Sequence, residues 1–309
     1  MTATPVLDIG GTHVTAALVD PGTWRTVPGS RRRVALDADG PAERLIATIA
    51  AALATLGPLT GTRAGVAIPG PFDYARGVGD FRGVDKFAAL RGVDVGAALA
   101  GALHAPPDSF VFLNDAAAFG LGEYRGGALA GCRRGVALTL GTGVGSAFVA
   151  DGTVLTRGSG VPPQGRVDLL AVRGRPLEQI VSRRAILADR HRLAGGAGVA
   201  DVAELTALAR AGDRGATVAL HAPMTALGLA LGPWLAAFET EILVLGGGIA
   251  AALDVIEAPL RTGLAREHPN LRELPIQCSA DPEQSVEVGA AWWAGRGRRV
   301  DPSSTSRQQ

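Results

Sequence analysis

The sequence predicts an α/β protein built from two domains of related fold. The chain has 309 residues, 47% of them hydrophobic, which is enough to bury a large core in about two domains. Apolar runs that fit buried strands alternate with stretches of helical spacing, and this order is typical of α/β architecture with parallel strands. A segment near the N-terminus, in which an apolar run meets a glycine turn and then resumes, recurs near residue 140.

The recurring segment predicts a β-hairpin in each domain. Its first copy is VLDIGGTHVTAALVD (6–20) and its second copy is VALTLGTGVGSAFVADG (136–152). At a shift of 131 positions, residues of the first copy fall on similar residues of the second: Ile9, Gly10, Ala16, Leu18 and Asp20 on Leu140, Gly141, Ala147, Val149 and Asp151. We interpret this match as a duplication; chance similarity between two glycine hairpins is the alternative.

The remaining elements follow from local spacing and turn residues. These patterns predict a helix over 42–57, a strand over 63–73 that Pro69, Gly70 and Pro71 stop, a helix over 95–104, a strand, turn and helix over 109–124, helices over 176–240, a strand over 241–253 and a final strand and helix. We place the domains at 1–115 and 116–285, with the last helix, near 286–296, joined to the first domain. Residues 297–309 offer almost no apolar side chains to bury, so we expect a disordered tail.

Three glycine clusters each follow an apolar strand. They are Gly10-Gly11-Thr12, Gly141-Thr142-Gly143 with its extension to Gly145, and Gly246-Gly247-Gly248. Glycine at a strand end lets backbone N–H groups approach a bulky anion, because no Cβ stands in the way. Each cluster alone is more simply a turn, but the three together, two of them with a threonine hydroxyl, favour a nucleotide phosphate site.

Two positions carry carboxylates beside these turns. Asp8 precedes the first glycine cluster, where it could hold Mg²⁺ directly or through water, or could instead satisfy turn amides. Asn114-Asp115 ends an apolar strand and precedes a helix. Asp115 could be an ordinary helix N-cap, a base that takes a proton from a substrate hydroxyl during phosphoryl transfer, or both. Asn114 would then supply an oriented amide.

Several classes of protein are excluded or disfavoured. Lys86 is the only lysine and GxxxxGK[ST] is absent, so no P-loop can be built, and no GxGxxG with an acidic partner follows a strand. The net charge of +1 and interspersed charges suggest neither a nucleic-acid nor a membrane partner. Cys132 and Cys278 stand alone. No signal pattern and no uninterrupted apolar stretch of about 18 residues is present, so we expect a cytoplasmic protein.

The ordered set of motifs resembles the ROK family (repressors, open reading frames and kinases), specifically its glucokinase-like sugar kinases. The motifs are Asp-Ile-Gly-Gly-Thr (8–12), Leu-Asn-Asp (113–115), Leu-Gly-Thr-Gly-Val-Gly (140–145) and Leu-Gly-Gly-Gly-Ile (245–249), within a resemblance over about 5–295. The resemblance implies the actin-like, hexokinase-like (ribonuclease H-like) duplicated two-domain α/β fold, with ATP and sugar in a central cleft. A homodimer is compatible with it.

The resemblance also assigns roles to residues. Gly10 to Thr12 would be the first phosphate loop, Gly141 to Gly143 the second, Gly246 to Gly248 the adenosine side, and Asp115 the base that activates the sugar hydroxyl. Sugar ligands would be Asn114, Asp115 and Glu178, together with the loop at Gly70 in AIPGPFDYARGVG (67–79). The alternative for Glu178 is a surface glutamate in the first turn of a helix.

The chain departs from the family where Glu-x-Gly-His and a cysteine-rich zinc-binding turn are usual. Here GSGVPPQGRVDLLAVRGRPLE precedes Glu178 without cysteine or histidine, so we expect no structural zinc. Gln164 and Arg166 would take the place of the missing sugar ligands with a different geometry. The family's repressors carry a winged helix-turn-helix ahead of the phosphate loop, which begins at residue 8 here, so no DNA-binding domain is expected.

The expected function is ATP- and Mg²⁺-dependent phosphorylation of a hexose hydroxyl, with the 6-hydroxyl of glucose as the leading expectation. A kinase for an amino or N-acylated hexose is one alternative, and a non-catalytic sugar or nucleotide sensor is another. Glycine loops cradle phosphates without selecting adenine, so polyphosphate is left open as the phosphoryl donor.

Overall fold

A computed structural model of the chain describes residues 2–59, 61–84, 86–193 and 198–296. The tail predicted to be disordered, 297–309, lies outside the described residues. The described chain forms two compact units, one made of residues 2–118 and 283–296 and the other of residues 119–282.

The first unit is built around a mixed sheet. Its elements are β1 (Thr4–Ile9), β2 (His13–Asp20), β3 (Arg25–Thr26), β4 (Arg32–Ala35), α1 (Ala42–Ala54), β5 (Ala64–Ile68), β6 (Phe72–Asp73), β7 (Val78–Gly79), α2 (Val95–Leu103) and β8 (Phe110–Asn114), after which α3 (Asp115–Gly126) begins. The six-stranded sheet has the order β3-β2-β1-β5-β8, and β4 also pairs with β2. The strand β1 runs antiparallel to β2 and parallel to β5, which is parallel to β8. The carboxyl ends of β1, β5 and β8 therefore meet at one edge, where ligands of open α/β sheets bind.

The second unit repeats this plan. Its elements are β9 (Arg134–Leu140), β10 (Val144–Ala150), β11 (Thr153–Leu155), β12 (Ala171–Val172), β13 (Arg175–Pro176), α4 (Glu178–Val181), α5 (Arg183–Leu193), α6 (Val202–Arg210), α7 (Arg214–Ala237), β14 (Ile242–Gly246), α8 (Leu253–Leu264) and β15 (Ile276–Cys278). Its five-stranded sheet has the order β11-β10-β9-β14-β15, with β9 antiparallel to β10 and parallel to β14. Strand order and direction match those of the first sheet, which confirms the predicted duplication.

The duplicated hairpins differ by one residue at the turn. Ile9 pairs with Val14 in the first hairpin, whereas Leu140 pairs with Val144 in the second. With β1 aligned on β9, the structural counterpart of Ala16 is thus Ser146, because Leu7 pairs with Ala16 as Leu138 pairs with Ser146. The predicted shift of 131 positions therefore aligns the first strands of the two hairpins, β1 and β9, correctly. It misaligns the second strands, β2 and β10, by one residue. Since side chains alternate between faces, such a slip exchanges the inward and outward positions.

The helix α7 forms the middle of the core of the second unit. It is 24 residues long, and among the described residues it alone has the length and hydropathy to cross a membrane; half of its most apolar window is buried. One face of the helix is buried: Leu220, Leu227 and Leu231 are fully buried and pack in one cluster with apolar side chains of α8. Its N-cap is Asp213, whose carboxylate accepts from the amide N–H of Ala216 at 2.6 Å.

The last helix, α9 (Pro282–Gly295), returns to the first unit. Its Glu287, 1% exposed, accepts hydrogen bonds from the Arg31 guanidinium at 2.7 and 2.9 Å and from the Thr26 hydroxyl. A Cβ added to Gly65 of β5 would lie 2.1 Å from the carbonyl oxygen of Ala290. The glycine is therefore needed for α9 to pack directly on the backbone of the sheet.

Candidate active site

Asn114 and Asp115 lie at the carboxyl end of β8, where the strand passes directly into α3. The side-chain oxygen of Asn114 accepts from the amide N–H groups of Ala116 (3.0 Å) and Ala117 (3.2 Å), so Asn114 and not Asp115 has the N-cap geometry. The Asn114 amide in turn donates to the Asp115 carboxylate at 2.9 Å. Asparagine thus holds both the helix start and the neighbouring carboxylate, and the N-cap alternative does not by itself account for Asp115.

The loop at Gly70 joins this arrangement through Tyr74. The Asn114 side-chain amide donates to the Tyr74 hydroxyl at 3.2 Å, and this hydroxyl donates to the Ile68 carbonyl at 3.3 Å. A Cβ on Gly70 would lie 3.1 Å from the same hydroxyl oxygen. Sequence reasoning did not single out Tyr74, although it falls in the segment 67–79 that resembles the family's sugar-side loop and is one of only two tyrosines.

Asp8 lies in β1 at the edge that also carries Asp115. Burial raises the pKa of Asp8 from 3.8 to about 7, and the negative charges of Asp115, Glu287 and Glu283 contribute to the rise, while Arg33 opposes them. An ionised Asp8 therefore sits in a region that is short of positive charge. A cation placed beside the two aspartates would relieve this repulsion.

The two aspartates fit the requirements of Mg²⁺ better than those of a caged metal. Among the described residues no group of three or more histidine, cysteine, aspartate or glutamate side chains is arranged to hold a metal ion. Mg²⁺ keeps several waters and is usually bound by one or two carboxylates together with substrate phosphates. Asp8 and Asp115 match this number and type of ligand.

The first glycine turn exposes backbone donors. The Gly10 amide closes the turn by donating to the His13 carbonyl at 2.9 Å, whereas the amides of Gly11 and Thr12 donate to no acceptor within the described chain. The Thr12 hydroxyl lies 3.0 Å from Nδ1 of His13, whose pKa is lowered by partial burial and by Arg33. Two adjacent unpaired N–H groups form the kind of concavity that binds an anion.

The second glycine turn and the third glycine cluster meet at the end of β9. The Leu140 carbonyl accepts from the Ile249 amide at 3.1 Å, and a Cβ on Gly247 would lie 2.4 Å from that carbonyl oxygen. Around Gly141 and around Gly248 a Cβ would meet no atom within 4 Å. Of these glycines, Gly141 and Gly248 leave room for a ligand, whereas Gly247 is required for packing.

Two further glycines of these clusters are also explained by neighbours. A Cβ on Gly246 would lie 2.6 Å from the Phe119 ring, and one on Gly143 would lie 2.6 Å from a carboxylate oxygen of Glu178. Glu178 is exposed at the first position of α4, a helix of four residues, so its carboxylate rests against the second glycine turn. Thr142 lies between Gly141 and Gly143 in that turn, which the Gly141 amide closes on the Gly143 carbonyl at 3.0 Å.

The divergent segment that contains Gln164 and Arg166 is held to β10. The Ser146 hydroxyl donates to the Gly165 carbonyl at 2.7 Å and accepts from the Val167 amide at 3.1 Å. Gln164 is exposed with a left-handed backbone (φ 60°). Arg166 forms an ion pair with Asp168 at 2.5 Å, so its guanidinium is already engaged by a carboxylate within its own segment.

Each unit thus collects its own part of the predicted site. In the first unit Asp8, Asn114, Asp115 and the turn at Gly10 follow strands that end at one sheet edge. In the second unit the Gly141 turn, Gly248 and the Glu178 carboxylate converge in the same way. The first unit brings two carboxylates to one sheet edge, and the second has an open, glycine-lined turn.

Comparisons with known proteins identify the lineage of this arrangement. The model of the ROK family matches residues 5–296. A glucokinase of Thermotoga maritima is 38% identical over 173 residues, a match that covers 49% of this chain and 54% of that protein. The match therefore spans about half the length of this curated relative.

Solved structures resemble the whole chain. The ROK hexokinase of Thermus thermophilus is 26% identical, with a TM-score of 0.74 over 95% of this chain and 98% of its own. The inorganic polyphosphate/ATP-glucomannokinase of Arthrobacter sp. strain KM is also 26% identical, with a TM-score of 0.65 over 96% of this chain and 99% of its own. These neighbours confirm the predicted fold class, actin-like and hexokinase-like.

Proposed function

The chain belongs to the ROK family, and from this premise we propose that it is an ATP-dependent hexose kinase of the cytoplasm. The observation that carries the proposal is the Asn114–Asp115 pair. Asn114 caps α3 and donates to Asp115, so the carboxylate is held at a strand end without serving as the cap itself. A base for an acceptor hydroxyl needs this combination of fixed position and available charge.

The chemistry assigned to the first unit is proton removal. The sugar hydroxyl oxygen forms a bond to the γ-phosphorus while the bond from that phosphorus to the bridging oxygen of ADP breaks. The hydroxyl proton passes to the Asp115 carboxylate. In phosphoryl transfer most of the rate comes from positioning and charge stabilisation, and the Tyr74–Asn114–Asp115 chain of hydrogen bonds would contribute by fixing the position of the base.

Each glycine turn would contact phosphate oxygens within its own unit. The unpaired N–H groups of Gly11 and Thr12 support the assignment of the first turn, and the open space at Gly141 and Gly248 supports that of the second. Asp8, with Asp115 nearby, would hold Mg²⁺ directly or through water; the bound ion would neutralise charge on the transferred group.

The proposed acceptor is the 6-hydroxyl of glucose; the relatives named glucokinase and hexokinase support a hexose as the acceptor. One observation favours an amino or N-acylated hexose instead. Arg166, expected to replace a missing sugar ligand, is paired with Asp168, so this segment presents a neutralised pair rather than a free cation. Such a pair can hydrogen-bond an amide or amine substituent.

A donor and acceptor panel tests the proposal. Purified protein is incubated with ATP·Mg²⁺ and each of glucose, mannose, glucosamine, N-acetylglucosamine and N-acetylmannosamine, and ADP is followed by a coupled assay. Polyphosphate replaces ATP in a parallel series read by sugar phosphate formation. We expect the highest kcat/KM with glucose and ATP. Binding of sugar or nucleotide without turnover in any combination would contradict a kinase and indicate a sensor.

Replacing Asp115 by asparagine tests the assigned base. Asparagine can keep the contacts to Asn114 and Ala116 through its side-chain oxygen, so the fold should survive while the base is lost. We expect kcat to fall by about 10²- to 10⁴-fold. The matched control is Asp201→Asn, which changes an aspartate that only caps α6 and should leave kcat unaltered. Wild-type turnover in Asp115→Asn would refute the assignment.

A further inference from the structure

Lys86 lies on the first glycine turn. A Cβ built on Gly11 would lie 2.9 Å from both Cδ and Nζ of Lys86 and 3.0 Å from Cε. The end of the lysine side chain therefore crosses the face of Gly11 where any other residue would place its side chain. Gly11 therefore makes room for the lysine side chain.

The Lys86 ammonium and the first glycine turn together present hydrogen-bond donors that have no acceptor among the described residues. Lys86 forms no hydrogen bond or ion pair with another described residue. The neighbouring amides of Gly11 and Thr12 have no acceptor within the described chain either. An ammonium beside two adjacent unpaired N–H groups is suited to phosphate oxygens, which accept from all three.

The position of Lys86 is set by the core of the first unit. The next residue, Phe87, is 1% exposed, its ring packs on that of Phe81 at 5.4 Å, and its amide donates to the Ala38 carbonyl at 2.9 Å. Its backbone is left-handed (φ 61°), a conformation that is rare for a bulky side chain and persists where the surroundings enforce it. The lysine side chain thus starts from a fixed point.

We propose that Lys86 binds the phosphate chain of the phosphoryl donor at the Gly10–Thr12 turn, an inference that rests on the proposed kinase function. Lysine suits this task because its ammonium is a compact point charge on a flexible stem, which can follow a phosphoryl group as it moves. Lys86 is the only lysine among 30 lysine and arginine residues. The shared ligand chemistry is a phosphoanhydride chain, whether of a nucleoside triphosphate or of inorganic polyphosphate.

Single-site labelling tests the contact without requiring turnover. Because Lys86 carries the only ε-amine, it and the N-terminal amine are the only amines that trace acetylation with acetic anhydride can modify, and peptide mass spectrometry separates them from each other and from acetylated cysteine or tyrosine. We expect ATP·Mg²⁺ and inorganic tripolyphosphate each to slow acetylation of Lys86 by about tenfold or more at saturation. Adenosine and glucose should have no effect. Protection by ATP alone or by tripolyphosphate alone identifies the donor and supports the contact, whereas protection by neither overturns it.

Variants supply the kinetic test. Lys86→Met keeps the length of the side chain and removes its charge, and we expect kcat/KM for the donor to fall by roughly 10- to 100-fold, with KM for the sugar unchanged. Lys86→Arg should recover part of the loss. The control is Arg82→Met, which removes an exposed cation in the same region of the chain whose one ion-pair partner among the described residues is Asp80, and it should match the wild type. Donor kinetics of Lys86→Met equal to the wild type would overturn the proposal.

The two assays separate this inference from the kinase assignment. A protein that is inactive with every sugar but protects Lys86 with tripolyphosphate would refute the kinase and keep the phosphate contact. An active kinase in which Lys86 is acetylated at the same rate with and without donor would keep the kinase assignment and refute the phosphate contact of Lys86.

Discussion

At the residue scale, Asp8 is a carboxylate whose pKa the fold of the first unit raises. A strand interior favours apolar side chains, yet β1 places a carboxylate between Leu7 and Ile9, both at most 1% exposed. Its raised pKa reflects burial first and the charge of Asp115 second. Burial and a second carboxylate at the same sheet edge thus disfavour the ionised form of Asp8. A carboxylate in such surroundings is a candidate for binding a cation.

The raised pKa leads to a prediction for stability as a function of pH. The folded protein binds this proton more tightly than the unfolded chain, because the pKa is about 7 in the fold and 3.8 for an aspartate free in water. The stability contributed by the protonated form is fully present below 3.8 and is lost as pH rises through about 7. At pH 8 Asp8→Asn should therefore be more stable than the wild type by up to about 4 kcal/mol, and the difference should vanish near pH 4.

Urea unfolding of both proteins across this pH range, without divalent ions, measures the difference. Mg²⁺ added at pH 8 should stabilise the wild type and leave Asp8→Asn unchanged, since the ion needs the ionised carboxylate. Parallel pH curves for the two proteins would show that Asp8 titrates normally in the fold.

Glycines also have to be judged one by one at this scale. Sequence alone treats Gly246, Gly247 and Gly248 alike, as members of one cluster. The structure separates them, because Phe119 and the Leu140 carbonyl leave no space beside Gly246 and Gly247, whereas Gly248 is open. The distinction depends on distant neighbours, so no local pattern could have supplied it.

At the element scale, the crossing of α7 and α8 is controlled by two glycines. A Cβ on Gly228 would lie 2.3 Å from the Leu260 carbonyl oxygen, and one on Gly263 would lie 2.2 Å from the Thr225 carbonyl oxygen. The two helices therefore touch backbone to backbone at this point. Larger residues would force them apart, and the buried leucines on either side would lose their packing.

Gly228→Ala and Gly263→Ala should each destabilise the protein by roughly 1–3 kcal/mol or more. The control is Gly101→Ala in α2, where a Cβ would meet no atom within 4 Å; it should stabilise by about 0.5–1 kcal/mol, because alanine favours a helix over glycine. Thermal unfolding followed by circular dichroism compares the three. Equal melting temperatures for all of them would mean that the helices can separate freely.

Prediction of elements from the sequence succeeded where the local pattern was long and failed where the structure is short or exposed. The predicted helices over 42–57 and 95–104 correspond to α1 and α2. The strand β4 was not predicted, because all of its residues are exposed and only its pairing with β2 in the folded sheet identifies it as a strand. Edge strands of this kind carry no hydrophobic alternation by which to recognise them.

At the scale of the whole molecule, the chain completes its first unit with its last helix. Glu287 of α9 is buried against Arg31 and Thr26, and the Trp293 indole donates to the Phe112 carbonyl at 3.1 Å. Removing α9 would expose the face of β5 at Gly65 and would leave Arg31 without its bidentate partner. The first unit therefore depends on a segment that is distant in sequence.

Truncation tests this dependence. A chain that ends after Ala280 should lose the cooperative unfolding of the first unit, and amide hydrogen exchange in β1 and β5 should rise by orders of magnitude. The matched control ends after Arg296, which keeps the cation–π contact of Arg296 with Trp292, and should melt like the full chain. Unchanged protection from hydrogen exchange in β1 and β5 in the chain that ends after Ala280 would show that the unit folds without α9.

The sequence by itself determined the family and the duplicated strand–turn–strand plan, and it predicted the positions at which chemistry can occur. It did so because glycine turns, strand-end carboxylates and hydrophobic periodicity are local properties that spacing along the chain preserves. The tertiary structure alone decided that Asn114 caps α3, that Arg166 is paired with Asp168, that burial near Asp115 raises the pKa of Asp8, and that Lys86 crosses Gly11. Each of these four findings depends on which groups folding brings close together and which groups it removes from water. A local sequence pattern contains no information on distant neighbours or on burial.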